Sequence, residues 1–403
     1  MATDASKLAR LASVGNAFTP GAPIGRYTVF AGRLEQIMEI VTATRNPGQH
    51  VVLYGERGVG KTSLANVLSE IFETIDAKTF GRARVNCGTG DDFDSIWTNV
   101  FRELAITRSD DQTWVGLSPE DVRYTLSKIK PCIVVIDELD RLDNDETLTL
   151  LADTVKSLSD HAVPTTLVLV GVADSIDELI GDHQSIERAL VQVPMPRMTV
   201  EELAEIIDKG IAELGMTITA SARSRIARLS EGLPHYTHLL ALHACQRAIG
   251  DDRNEVTDTD VDSAIKNAVD KAQHSIKSAY QRATRSVRRD NLFGQVLLAC
   301  ALAPKDELGF FTTAAVRAPM SRIMGRRYEI SAFAKHMNKF TSEERGPILV
   351  SSGQRRSQFY RFQNPMMQPY VILAGLGKGL ITEADLAGQA VLHEEPGSPE
   401  LPL

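Results

Sequence analysis

No apolar run in this 403-residue chain reaches the roughly 18 residues that a membrane-spanning helix needs. Cysteine is scarce: Cys87, Cys132, Cys245 and Cys300 stand alone with no C-x-x-C spacing, so neither a disulfide framework nor a zinc knuckle is indicated. Isolated thiols fit a reducing compartment, and the N-terminus lacks the basic-then-apolar pattern of a secretory signal, so a cytoplasmic protein with no membrane partner is expected. Positive charge is in deficit, with 44 Lys and Arg against 52 Asp and Glu and a net charge of −8. That balance argues against indiscriminate nucleic-acid binding by the surface as a whole. What is present is ordinary: 43% hydrophobic and 24% charged residues, in a length that suggests two or three domains.

Against that background one stretch stands out. Gly55-Glu56-Arg57-Gly58-Val59-Gly60-Lys61-Thr62 reads G-x-x-x-x-G-K-T, followed by Ser63. The apolar, β-branched run His50–Tyr54 precedes it and a helical period follows, so the motif sits between a strand and a helix start, where its mechanism needs it. Gly55, Gly58 and Gly60 let the backbone turn its N–H groups onto phosphate oxygens. The helix N-terminus adds its positive end. Lys61 is the point charge for the β/γ-phosphates, and the Thr62 hydroxyl is the expected Mg²⁺ ligand.

About 75 residues downstream, Cys132-Ile133-Val134-Val135-Ile136 ends in Asp137-Glu138. An acid at the carboxyl end of a buried strand can hold Mg²⁺, here Asp137. Its neighbour Glu138 can orient and polarise the attacking water. The strand-like run Thr165–Ala173 ends in Asp174, a polar residue expected beside the γ-phosphate. Arg188, before the strand-like Leu190–Val193, is expected as an arginine finger reaching a neighbouring subunit. Gly32-Arg33 opens a helical pattern about 20 residues before the phosphate loop.

From Thr199 the pattern turns helical, starting with the capping box Thr199-Val200-Glu201-Glu202. Gly232-Leu233-Pro234-His235 opens a later helix. His235, His238, His243 and Cys245 do not share one helix face, so packing or surface roles are expected of them rather than metal binding.

These residues together resemble the AAA+ ATPases of the origin-recognition/initiator type. The likeness is carried by Phe30-Ala31-Gly32-Arg33, by Gly55–Thr62 as Walker A, and by Val85-Asn86-Cys87 on the second strand. It continues in Ile136–Asp140 as Walker B, Gly171–Asp174 as sensor 1 and Ile186–Arg188 as the finger region. It spans roughly residues 25–272 and implies an α/β fold: a P-loop core with a parallel sheet, a helical lid and a C-terminal winged helix. It implies ATP and Mg²⁺ as cofactors. Gly32, Arg33, the loop from Gly55 to Ser63, Pro234 and His235 would surround the nucleotide. Two positions depart from the family: Asp174 replaces the usual Asn at sensor 1, and His235 stands where the lid usually offers Arg. Gly-Leu-Pro also resembles the lid motif of STAND-type signalling ATPases. Both departures imply a slow, switch-like hydrolase.

The C-terminal third carries its own signal. Between Arg282 and Arg361 there are 15 Lys/Arg and 6 Asp/Glu, a net of +9, which leaves −17 for the rest. Helical patterns and the hairpin Ile348–Val350/Phe359–Phe362 give a winged-helix pattern. Lys335, Asn338 and Lys339 fall on the expected recognition helix, Arg322, Arg326 and Arg327 before it, and Arg355, Arg356 and Arg361 on or beside the wing. Double-stranded DNA is the partner such a basic segment suggests.

The expected organisation is a mobile leader over residues 1–24, a nucleotide-binding core over 25–196, a helical lid over 197–272, a basic linker over 273–290, a winged helix over 291–382 and a disordered acidic tail over 383–403. The function expected is ATP-controlled DNA binding, with ATP-dependent association into homo-oligomers or with a partner protein. Two alternatives are a STAND-like regulatory or defence ATPase whose winged helix recruits an effector protein, and an ATPase that regulates transposition.

Overall fold

The structure is a computed structural model that describes residues 2–76, 81–107, 114–173, 184–286, 291–306, 309–353 and 358–390. Asp174, Arg355 and Arg356 lie outside the described residues. The chain divides into two compact units, one of Thr19–Gly210 and one of Met1–Phe18 with Ile211–Leu403. The division falls inside the helix Val200–Glu213.

Residues 19–210 are built on a five-stranded parallel sheet. Its strands are β1 (His50–Gly55), β2 (Gly81–Asn86), β3 (Cys132–Asp137), β4 (Thr165–Val172) and β5 (Leu190–Pro194), in the order β2-β3-β4-β1-β5. Every residue of β3 is buried, as a strand covered on both faces should be. The helix Phe93–Glu103 buries Phe93, Ile96, Trp97, Val100 and Phe101, the i, i+3, i+4, i+7, i+8 stripe of a core-facing helix. Asp92 and Ser95 start it with a capping box. Sheet register sets the chemistry: β4 lies between β1 and β3, and Asn86 pairs with Asp137 across β2 and β3.

The other unit is helical for most of its length. Its helices include Ala220–Leu229, Pro234–Gly250, Asp258–Asp270 and His274–Thr284. They are followed by Phe293–Ala301, Thr313–Ile323, Ile330–Phe340 and Met367–Gly377. Strands β8 (Phe311–Thr312), β9 (Leu349–Ser352) and β10 (Phe359–Phe362) form an antiparallel sheet in the order β8-β10-β9, with Phe359 opposite Ser352 and Phe362 opposite Leu349. Two short strands, β6 (Thr217–Ile218) and β7 (Glu255–Val256), pair in parallel.

The structure adds detail to three expected segments. Residues 1–24, expected as a mobile leader, include the α-helix Ala2–Ala17. Alanine favours helix, all prolines of the segment come later, and tertiary contacts hold it: Val14, Ala17 and Phe18 are buried. Lys7 donates to the Gly250 carbonyl at 2.6 Å and to Asp252 at 2.8 Å, covering the C-terminal end of Pro234–Gly250. The stretch expected as a basic linker is largely the helix His274–Thr284. The acidic segment after Thr382 begins as a helix, Glu383–Ala390. There Asp385 accepts from the Thr382 backbone N–H at 2.7 Å and its hydroxyl at 2.9 Å, and Arg225 pairs with Glu383. The acids favour the helix N-terminus instead of unfolding it.

Candidate functional site: a phosphate loop and an acidic strand end

β1 ends at Gly55, and the helix Lys61–Asp76 begins six residues later. Gly55 cannot be replaced without strain. Its φ is +148°, and a Cβ there would lie 2.5 Å from the Met195 carbonyl oxygen. Gly58 and Gly60 also have positive φ, at 91° and 99°. The first N–H groups of the following helix have no intrahelical acceptor, so they are donors for an anion.

Lys61 is buried, and its amine donates to the Gly55 carbonyl at 2.7 Å and the Glu56 carbonyl at 2.8 Å. Burial pushes its pKa down to about 8, against the pull of Asp140, Asp137 and Glu56. Glu56 is bound by the Arg197 guanidinium through both carboxylate oxygens. Thr62 and Ser63 are half-buried, and Arg57 is exposed. The Ser63 hydroxyl accepts from the Ile24 N–H at 3.1 Å.

β3 delivers the acids. Asp137 is 2% exposed. Its Oδ1 accepts the Glu138 N–H at 2.8 Å and its Oδ2 takes the Arg84 guanidinium at 3.0 Å. Arg84, on β2, also bonds Asn66 of the phosphate-loop helix. Glu138 adopts a left-handed conformation (φ 61°), and its side chain is half-exposed against Arg141 at 2.8 Å. Asp140 accepts the Val172 N–H at 2.7 Å, which ties the end of β4 to this turn.

The donor set fits a Mg-nucleotide. A buried carboxylate with one partner on each oxygen retains lone pairs for a hard cation. A hydroxyl, a lysine and a helix N-terminus suit the phosphates. The magnesium ion would screen phosphate charge, with Thr62 and Asp137 as the residues to hold it.

Gly32 and Arg33, expected around the nucleotide, are held by backbone and side-chain bonds next to the loop. Their N–H groups donate to Glu205 and Glu202, both at 3.0 Å. The Arg33 guanidinium is buried and donates to the Val59 carbonyl at 3.1 Å and the Pro196 carbonyl at 2.5 Å. Burial lowers its pKa, with Glu202 opposing. Arg33 therefore braces the phosphate loop through the loop's own backbone. Arg188 is exposed on the short helical turn Gln184–Ala189 beside β5. Pro234 and His235 belong to the helical unit, where Pro234 starts its helix and His235 stacks edgewise on Tyr236 at 5.3 Å. His238 is buried against Phe18, with ring centroids 6.0 Å apart. Among the described residues no cluster of His, Cys, Asp and Glu is arranged to hold a metal.

Residues 44–180 match the family model described as AAA domain. This segment is similar to an AAA domain. It runs from the end of the helix Leu34–Thr44 through β1, β3 and β4. The chain is similar in fold to the ORC2 protein of Aeropyrum pernix, solved in ADPNP–ADP complexes (TM-score 0.50, 14% identity, 90% of this chain and 96% of that one). It is also similar to the Walker-type ATPase of Pyrococcus abyssi (TM-score 0.52, 15% identity, 87% and 98% covered). The Cdc6p protein of Pyrobaculum aerophilum matches with a TM-score of 0.48 and 16% identity over 91% and 99%. The match and the fold likeness agree with the α/β fold on a parallel sheet that the motifs imply.

Sequence reasoning missed Arg84, Asn66 and Arg197 in this core. Arg84 was findable, since its place on β2, two residues before Asn86, puts it on the same sheet face as the strand end. Arg197 lies 141 residues from Glu56, and no local pattern reports that pairing.

The basic residues of the C-terminal segment are spread over several elements. Lys335 and Lys339 are exposed on Ile330–Phe340, with Lys339 3.6 Å from Glu344. Asn338 accepts from the Tyr360 hydroxyl at 2.9 Å. Arg322 reaches the Asp385 carbonyl at 3.4 Å, Arg326 donates to the Tyr328 hydroxyl at 2.9 Å, and Arg327 pairs with Glu329 at 2.8 Å. Arg361 lies over the Phe310 ring at 4.8 Å.

Proposed function

We propose that this protein is an ATP-binding, slowly hydrolysing switch whose C-terminal residues 291–382 form a winged helix that binds double-stranded DNA under nucleotide control. The observation that carries the reading is the division of labour between adjacent acids. Asp137 is buried and suits a metal, whereas Glu138 is half-exposed and turned aside by its left-handed backbone. In this reading Lys61 and the loop backbone hold the phosphates, Thr62 and Asp137 hold Mg²⁺, and Glu138 positions water and accepts its proton. Arg188 serves as a finger for a second copy. Asp174 and His235, in place of the family's Asn and Arg, make hydrolysis slow. The order of three helices and a three-stranded antiparallel sheet supports the winged-helix assignment, and the net charge of +9 between Arg282 and Arg361 supports DNA as its partner.

The test is sedimentation of wild type and Glu138→Gln with and without ATP and a duplex. A larger species formed jointly by ATP and DNA, more persistent in Glu138→Gln, is the expected result. Assembly that responds to ATP but never includes DNA would transfer the module to protein recruitment, the STAND-like alternative.

A further inference from the structure

A cleft of about 1130 Å³ opens between the C-terminal end of His274–Thr284 and one face of Ile330–Phe340. Arg282 and Arg285 stand on one wall, Lys335, His336 and Lys339 on the other, and Arg345 closes one end. Glu344 is the acid among the lining residues, and it lies beside Lys339. Among the described residues no carboxylate lies within ion-pair distance of Arg282 or Arg285, and both are exposed. Like charges repel, so five cations gathered from three elements with one acid stay together at a cost that a polyanion would relieve.

The walls are tied to each other. The Arg345 guanidinium donates to the Ala283 carbonyl at 3.1 Å and to the Arg285 carbonyl, and it lies 3.6 Å over the Phe293 ring. Arg282 runs along the backbone of Gly346, where a Cβ would come within 2.5 Å of its Cδ. Arg345 and Arg282 are thus positioned by packing, so binding would order fewer side chains than five freely moving cations would require.

The lining also selects the ligand class. Small-molecule sites are mostly apolar with a few polar groups. Five of the twelve residues lining this cleft are cations, and its aromatic ring is covered: Phe293 is 7% exposed beneath Arg345, with no face left for a base to stack on. Lys335 and Lys339, one helical turn apart, belong both to the cleft and to the helix that the proposed function sets against DNA.

We propose that the cleft is a phosphodiester-backbone site, so that the helix His274–Thr284 and Arg285 extend the DNA interface beyond the winged helix. This rests on the DNA-binding reading above. The contact is to phosphate alone and carries no sequence preference.

The experiment measures duplex affinity of the full chain with ATP by fluorescence anisotropy, from 50 to 200 mM salt, for two unrelated sequences. The Arg282→Ala/Arg285→Ala variant is compared with Arg326→Ala/Arg361→Ala, which lies outside the cleft. Loss of two phosphate contacts lowers the salt slope by about 1.8 and the affinity roughly 60-fold at 0.1 M salt, equally for both sequences. Arg282→Lys/Arg285→Lys, which retains charge, should keep most of the slope, and so separates lost contacts from lost folding. A wild-type slope in the double alanine variant, with the outside variant weakened, overturns the cleft and leaves the DNA reading intact. Failure of the wild type to bind duplex at the lowest salt overturns both. Calorimetric binding of inorganic tripolyphosphate that Arg282→Ala/Arg285→Ala abolishes, with duplex binding unchanged, reassigns the cleft to a free polyphosphate and overturns the proposal.

Discussion

In residues 19–210 Lys61 and Asp137 are buried and fixed by hydrogen bonds, whereas between Arg282 and Arg361 most of the basic side chains are exposed. Lys61 is 7% exposed and bonded to two loop carbonyls, and Asp137 is 2% exposed between Arg84 and the Glu138 N–H. Arg327, by contrast, is 79% exposed beside Glu329. A buried charge must be fixed by hydrogen bonds, because desolvation is costly. An exposed one is screened and adjustable. The first arrangement suits chemistry on one phosphate at a set position. The second suits a long polyanion whose contacts can slide.

The largest expected effect lies in the first region. Glu138→Gln should lower hydrolysis by roughly 10²- to 10⁴-fold, the range of a lost general base, while calorimetry still finds ATP bound. Lys61→Ala should instead weaken nucleotide binding itself. Equal loss of binding in both variants would mean that Glu138 supports the loop and not the water.

Packing separates the two units next. Trp97 is fully buried in the core of residues 19–210 beside Phe93 and Phe101, and Phe333 is fully buried in the C-terminal segment. Truncating either to Ala should cost about 3–5 kcal/mol. Scanning calorimetry then shows whether each substitution lowers its own transition or one shared transition. A shared shift would mean that the units unfold cooperatively.

How much of this was legible in the sequence follows the same division. Gly55–Ser63 and Asp137-Glu138 were readable because their chemistry depends on residues within a few positions, and periodicity located β1, β3, β4 and the helices around them. Arg33 was legible as a residue near the loop, and only the fold shows its guanidinium on the Val59 and Pro196 carbonyls. The helix Ala2–Ala17 was missed because its stability comes from Pro234–Gly250, more than 200 residues away. β8 was not legible, since two residues, Phe311 and Thr312, carry no period before Thr312 caps the helix Thr313–Ile323. The C-terminal charge excess was visible as a count. The gathering of Arg282, Arg285, Lys335, Lys339 and Arg345 into one cleft was not.

A smaller effect probes the loop's backbone. Gly55→Ala should cost about 1–3 kcal/mol through its positive φ and the Met195 carbonyl, measured by urea unfolding without nucleotide. An unchanged midpoint would show that the loop can move away from Met195 freely.

Acid should strain both units through buried histidines. His50 and His238 are buried, and burial pushes the pKa of each down to about 4. An unfolded histidine titrates near 6.5. Between those values the unfolded chain binds the extra proton, so stability is full above pH 6.5 and declines as pH falls toward 4. Each should account for about 2 kcal/mol between pH 7.5 and 5. His50 accepts the Leu167 N–H through Nδ1 at 3.1 Å, so His50→Asn keeps an acceptor, whereas His238→Phe suits a ring packed on Phe18. Each variant should flatten its share of the decline in urea midpoints at the two pH values. A wild-type decline in either would show that its histidine titrates alike in the folded and unfolded states.

The smallest effect tests whether exposed ion pairs open when DNA binds. Arg326 contacts the Tyr328 hydroxyl and ring, with no carboxylate partner among the described residues, while Arg327 pairs with Glu329. If both meet phosphate, Arg326→Ala should lower the salt slope by about 0.9. Arg327→Ala should lower it less, because the Glu329 carboxylate competes with phosphate for the same guanidinium. Neither substitution should move the melting temperature appreciably, since surface pairs contribute little. Equal slopes for the two variants would mean that the Glu329 pair is surrendered on binding, and Glu329→Gln should then strengthen duplex binding at low salt. A larger slope change for Arg327 than for Arg326 would reverse the assignment and make the paired arginine the main phosphate contact.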